Sequence, residues 1–316
     1  MRFHALMDAL IILDEVQTVP CRLWDLVDQA LRGLTTESRT HILLMSATQP
    51  ALLSGARELA GDPEQVAAVF AQFKRYRLRL CHRERQELSA FIQSLQPRLT
   101  AWCAQGKRVL ITLNTRASAK AVWRAMRAQQ PDIPVWLVSA DVTPRDRLIK
   151  IAAIKALSNG QPGIVVSTQT IEAGVDIDLD IVIRDFAPLD ALIQIAGRCN
   201  RNNRLGDHGG QVEIVSLTNP RGCEYAQMVY DAGDRQARSG QFGLLEMTRE
   251  ILADLDEIGE ESILELPSDR VIHNPNSFHR ASIRFTDTGY AVPSCCANSE
   301  TRNSSNNQRI SSSRAS

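Results

Sequence analysis

No C-x-x-C pair occurs in this chain, and its seven cysteines (Cys21, Cys81, Cys103, Cys199, Cys223, Cys295 and Cys296) show no metal-like spacing with the histidines. That pattern argues against a zinc framework and for reduced thiols in a cytoplasmic protein. Net charge is absent as well. The 36 lysines and arginines balance 36 aspartates and glutamates, so no whole-molecule basic field exists, and any nucleic-acid contact must come from local clusters. No membrane association is expected, because the opening apolar run, residues 9–13, is preceded by Asp8 and closed by Asp14 and Glu15, too short for a signal segment or a span. No internal repeat points to a solenoid. Large aliphatic residues are nearly missing from residues 291–316, where only Ile310 follows Val292. Such a tail cannot bury enough surface to offset chain entropy and is expected to be disordered.

What is present is a globular composition, 44% hydrophobic and 23% charged over 316 residues, with room for about two domains. Residues 9–14 read as an all-apolar buried strand. Residues 20–34 read as a helix with Leu23, Leu26, Val27, Ala30 and Leu31 on one face, and residues 41–45 as a second buried strand. Pro50 suits the first turn of a helix through residue 59, and Gly61-Asp62-Pro63 marks a break. Strands then alternate with helices: 109–113, 135–138, 164–167, 181–184 and 212–217 as strands, 117–128 and 189–199 as helices, and a helix capped by Thr143 with Pro144 at its first position. This alternation predicts a parallel sheet covered on both faces. Past Asn219 it stops, leaving one good helix at 244–258.

Charge is segregated along the chain. Lys74, Arg75, Arg77, Arg79, Arg83 and Arg85 crowd one stretch, while acidic residues gather between Glu246 and Glu265. Arg75, Arg77 and Arg79 alternate with Tyr76, Leu78 and Leu80, the pattern of a strand with one cationic face, either a solvated outer face or a phosphate contact. Asp14 and Glu15 end the first apolar strand, at the edge where parallel sheets bind ligands. There the first carboxylate would hold Mg²⁺ and the second would orient a water toward a γ-phosphate, although an acidic pair also simply solvates a turn. Ser46-Ala47-Thr48 ends the second strand and reads equally as an N-cap before Pro50.

Four segments stand in a set order: Asp14-Glu15-Val16-Gln17, Ser46-Ala47-Thr48, Thr168 with the run from Glu172 to Asp176, and Gln194-x-x-Gly197-Arg198-x-x-Arg201. This set resembles motifs II, III, V and VI of superfamily 2 helicases. The stretch from Arg184-Asp185-Phe186 into the last block is similar to the CRISPR-associated helicase-nucleases of type I systems. The resemblance covers roughly residues 9–217. It implies an α/β architecture: a partial RecA-like domain (1–65), a complete second RecA-like domain (66–220), an extension (221–290) and the tail (291–316). It further implies ATP and Mg²⁺, with Asp14 on the metal, Glu15 on the attacking water, and Gln194, Arg198 and Arg201 reaching ATP. Gly174, Asp176 and Thr168 would line the cleft between domains. Gln17, Ser46 and Thr48 would couple nucleotide state to the nucleic-acid track, and Asn114 and Thr115 would meet a strand phosphate. Guanidinium groups stabilise charge on a transferring phosphoryl group; the same arginines at a helix C-terminus also suit the helix dipole.

The pattern departs from the family in places. No G-x-x-x-x-G-K-[ST] occurs, the closest stretch, Gly106-Lys107, being followed by Arg108. There is no His-Asp dipeptide, and Gln17 stands where the family has histidine. The expectation is a fragment of an ATP-dependent 3′ to 5′ single-stranded DNA translocase of CRISPR defence, inactive by itself. Its partners would be single-stranded DNA, a missing N-terminal helicase half and a CRISPR surveillance complex. A binding module without catalysis, half of a split helicase, and a helicase acting on RNA are the alternatives. Proteolysis is expected to leave a core near residues 70–220, with residues 1–60 unstable alone.

Overall fold

A computed structural model describes residues 3–16, 19, 23–45, 53, 59, 68–69, 71–157, 160–172, 175–231 and 243–260. They fall into two compact units, one holding the described residues up to 59 and the other those from Ala68 to Glu260. The helix expected at 50–59 and the tail lie outside the described residues.

In the first unit, β1 (Leu10–Leu13) and β2 (His41–Leu44) pair in parallel, Leu10 opposite His41 and Leu13 opposite Leu44, connected through α1 (Trp24–Glu37). Val16, Leu31 and Leu44 form its small core with Leu13, Val27 and Ile42 against them. The expected all-buried β1 is corrected: Leu10 is 65% and Ile12 54% exposed, because among the described residues only one face of this two-stranded sheet is covered. The apolar face of α1 also shifts. Val27, Leu31 and Leu34 turn inward at helical spacing, while Leu26 and Ala30 face solvent.

The second unit is built from β3 (Tyr76–Glu87), α2 (Leu88–Ala104), β4 (Arg108–Thr112), α3 (Arg116–Gln129), β5 (Val135–Val138), α4 (Pro144–Lys155), β6 (Gly163–Ser167), β7 (Ile181–Asp185), α5 (Leu189–Ala196), β8 (Gly210–Thr218), α6 (Leu244–Ile251) and β9 (Glu257–Gly259). Its seven strands lie in the order β5-β6-β4-β7-β8-β3-β9. All pairings are parallel except β9 on β3. The central strands β4, β6 and β7 are buried at every position, as a parallel sheet covered on both faces requires. Their side chains alternate between two cores. Leu110, Val165 and Val182 join Phe186, Leu192 and Ile195 on one face. Val109, Ile111 and Ile183 meet Phe91, Leu95 and Met126 on the other.

The strand and helix expectations from residue 109 to 217 hold to within a few residues, including the Thr143 cap, whose hydroxyl accepts from the Asp146 amide at 3.2 Å. α2 had no counterpart in the sequence reading, and the helix expected at 244–258 ends at Ile251. Its last two residues belong instead to β9, which pairs with the edge of the sheet at β3.

The two charge clusters meet here. β3 carries its arginines outward as its period-2 pattern predicts, but acidic partners from the C-terminal stretch cover them: Glu260 on Arg75, Glu257 on Arg77 at 3.7 Å and Asp256 on Arg83 at 2.6 Å. Glu224, only 1% exposed, receives Arg85 at 3.0 Å and Arg249 at 2.8 Å. The cationic face of β3 is therefore largely neutralised from within.

Candidate functional site

The parallel strands of the second unit deliver their carboxyl ends to one edge of the sheet, the edge at which such sheets bind ligands. A buried polar network occupies it. Asn114, just past β4, donates both amide hydrogens, to Asp185 Oδ2 at 2.8 Å and to the Phe186 carbonyl at 2.7 Å. Its Oδ1 accepts from Arg184 Nη1 at 2.7 Å. The side chain proposed to meet a strand phosphate is thus occupied inside the protein.

Arg184 is fully buried and reaches Glu172 Oε1 at 2.8 Å and the Tyr230 hydroxyl at 3.1 Å. A buried arginine of this kind must be paired and hydrogen-bonded to be tolerated. Burial raises the Glu172 carboxyl above its usual range against the pull of Arg184. Burial likewise pushes Asp185 up to about 7, opposed by Arg184 and by the Leu217 and Asn114 donors. Thr115 is the N-cap of α3, its hydroxyl accepting from the Ser118 amide at 3.0 Å. Thr168 is buried at the end of β6 and shares a hydrogen bond with the Thr170 hydroxyl at 2.9 Å.

α5 carries half-buried Gln194 and runs into a turn from Gly197 to Arg201. Arg198 is buried and its Nη2 donates to the Glu172 carbonyl at 2.6 Å. The turn is tied to the segment ahead of β7: Leu179 and Cys199 form a parallel bridge, and the Arg201 amide donates to Asp178 Oδ1 at 2.9 Å. Asp178 also receives Asn202 and Arg204, and Arg204 continues to Asp180 at 2.6 Å. Arg201 projects outward, its Nε lying 3.1 Å from Asp176 Oδ1, which is itself exposed. Lys155 lies 3.8 Å from the other oxygen of Asp176. Asp176 and Arg201 therefore meet at the surface, Arg198 being an internal tie and Arg201 an accessible cation, whereas Thr168 stands past the carboxyl end of β6 and the turn is tied to the segment ahead of β7.

Gly210 makes this packing possible. A Cβ there would stand 2.7 Å from Cys199 Sγ and 3.0 Å from the Arg75 carbonyl, so only glycine lets β8 start this close to the turn.

In the first unit, Asp14 is exposed at the end of β1 and Glu15 is half-buried, with φ of 53° and its amide donating to Asp14 Oδ1 at 2.9 Å. Among the described residues no group of three or more His, Cys, Asp or Glu is arranged to hold a metal. A lone exposed carboxylate fits Mg²⁺ in its usual nucleotide mode, in which one or two carboxylates and substrate phosphates share the ion. Gln17, Ser46, Thr48 and Gly174 lie outside the described residues. Sequence reasoning missed Glu172, Arg184, Asp178, Tyr230 and the Arg75 to Glu260 pair as organisers. Only Arg184 carried a visible signal, an arginine inside an otherwise apolar strand.

Residues 105–204 match the family model described as CRISPR-associated nuclease/helicase Cas3, C-terminal. The CRISPR-associated nuclease/helicase Cas3 of Haloferax volcanii is 26% identical over 306 residues, covering 70% of this chain and 33% of that protein. Its counterpart in Methanothermobacter thermautotrophicus is 34% identical over 113 residues, covering 35% of this chain and 13% of that protein. The chain spans a third or less of the length of these relatives. The crystal structure of T. fusca Cas3-ATP shares the fold, with a TM-score of 0.63 at 20% identity over 84% of this chain and 35% of that one. No described helix is long and apolar enough to cross a membrane.

Proposed function

We propose that this chain, a C-terminal part of a CRISPR-associated superfamily 2 helicase on the agreement of family model, relatives and fold, supplies half of an ATP-driven motor. The motor would move 3′ to 5′ on single-stranded DNA, in the cytoplasm, alongside a CRISPR surveillance complex. The observation that carries this reading is Arg201, whose guanidinium lies at the surface against exposed Asp176 on a turn that Arg198 ties to the Glu172 backbone. The solved relatives named as complexes with ATP and AMPPNP, and one in an RNA-guided surveillance complex, support nucleotide and complex binding.

In this reading Asp14 is the ligand for Mg²⁺, which when bound neutralises charge on the nucleotide phosphates. Glu15 orients the attacking water. Arg201 leaves Asp176 for the more highly charged phosphate, and Arg198 holds the turn to the Glu172 backbone so that Arg201 reaches out from a fixed base. These 316 residues hold no G-x-x-x-x-G-K-[ST], so in this reading the phosphate cradle is supplied by residues other than these.

The test is ATP hydrolysis by the 316-residue polypeptide alone, and again when mixed with the front half of a curated relative and single-stranded DNA. Alone it should be negligible. In the mixture, DNA-stimulated hydrolysis should appear, Glu15→Gln should abolish it, and Arg201→Ala should lower it by about 10³-fold or more. DNA binding without hydrolysis in any mixture would instead make the chain a binding module.

A further inference from the structure

Arg201 is fixed by contacts from well outside the block that contains it. Its carbonyl accepts from Arg75 Nη1 at 3.1 Å, and Arg75 stands at the entry to β3, 126 residues earlier in the chain. The Arg75 guanidinium is gripped in turn by Glu260: Nε lies 3.0 and 3.1 Å from the two carboxylate oxygens, Nη2 bonds the same group, and the Arg75 amide donates to Oε2 at 3.0 Å. Both backbone polar groups of Arg75 take part, because its carbonyl accepts from Asn200 Nδ2 at 2.7 Å and from the Gly210 amide at 3.0 Å. Glu260 is 4% exposed. A forked guanidinium held bidentately on one side has its remaining donor aimed in a fixed direction, which a point-charge ammonium cannot reproduce. Here that donor points at the backbone of Arg201.

We propose that Arg75 and Glu260 are positioning residues for Arg201, forming a clamp that sets where this arginine begins its reach. The purpose assigned to the clamp rests on the nucleotide reading above; the clamp itself does not. Neighbouring β3 arginines meet acids without touching the turn: Arg77 to Glu257 is 3.7 Å and exposed on both sides. Glu260 also ends the described part of the C-terminal stretch, so that stretch contributes to Arg201 although it lies beyond residues 105–204.

Amide hydrogen exchange on the full 316-residue chain tests this, with Arg75→Lys, Glu260→Gln and the control Arg77→Gln. In the first two, exchange across residues 199–204 should accelerate by about tenfold or more, and the Arg201 Nε–H should lose order in ¹⁵N relaxation. The control should leave both unchanged. Two independent variants guard against one failing to fold. Acceleration that merely tracks that of residues 77–79 and 257–259 would mean that the pair only seals the sheet edge, and unchanged exchange at 199–204 would refute the clamp outright. In the hydrolysing mixture the same variants should lower kcat and kcat/KM together. A mixture that hydrolyses nothing even with the natural residues refutes the nucleotide reading and leaves the exchange result to decide the clamp.

Discussion

His82 lies flat against Phe186, ring centroids 5.1 Å apart and planes 13° from parallel, with the Arg249 guanidinium also 4.5 Å from the Phe186 ring. Its Nδ1 is buried without a hydrogen-bond partner. Burial first, then the charges of Arg249 and Arg83, lower its pKa to about 4 from the ordinary 6.5. The unfolded chain takes up a proton near 6.5 and the folded one only near 4. The resulting stability is therefore complete above pH 6.5 and is lost as pH falls from 6.5 through 4. Asp185 acts in the opposite direction: raised to about 7, its contribution is complete below 3.8 and is lost as pH rises to 7. A single melting profile mixes the two, so the difference between variants is the useful quantity. Urea unfolding of the chain and of His82→Phe, which keeps the stack but cannot be protonated, should show a stability difference that changes between pH 4 and 6.5 and is flat above. A difference independent of pH would mean that His82 titrates normally in the fold.

Elements are held at their ends by residues that also looked like ligand contacts. Thr115 begins α3, and an N-cap hydroxyl is typically worth about 1 kcal/mol against alanine. Thr115→Ala should therefore cost about 1 kcal/mol in denaturant unfolding while Thr115→Ser costs little; equal stability of all three would deny the cap. The start of α5 is anchored differently. Pro188 at its N-cap supplies no side-chain bond, and the Leu189 amide instead donates to the Thr248 hydroxyl of α6 at 3.1 Å. The helix leading to Arg198 and Arg201 is thus oriented by an element some 59 residues later in the chain. Local patterning could show that α5 exists, since its apolar spacing is strong, but not what fixes its first turn, because that partner is brought near only by packing.

At the scale of the molecule, the second unit continues past the alternating region. Leu245, Leu252 and Ile258 are buried in the same core as Leu78 and Val182, and β9 pairs with Arg77, Leu78 and Arg79. Limited proteolysis should accordingly leave a fragment that starts near residue 68 and retains residue 260, longer than the 70–220 core expected from the alternation alone. Intact-mass analysis decides it: a fragment ending near residue 220 that still unfolds in one sharp transition would show the later elements to be dispensable. Removing them would uncover the Arg75 and Arg83 faces, take the Glu224 partner from Arg85 and expose apolar surface, costs that a marginally stable domain does not absorb.

From sequence alone came the parallel α/β class, the strand and helix order between residues 109 and 217, the Thr143 cap and the family resemblance. All rest on short-range regularities: period 2, period 3.6, cap chemistry and motif spacing. Tertiary structure alone decided which face of β1 and α1 is covered, that residues 257–259 form a strand instead of the end of a helix, and that the basic and acidic clusters neutralise each other. It also decided the roles of individual polar residues, turning Asn114 inward, tying Arg198 to the Glu172 backbone and leaving Arg201 outward. Hydrogen bonds and ion pairs between residues 26 to 185 positions apart leave no periodic trace in the chain. What they select is set by which groups burial brings together and obliges to find partners.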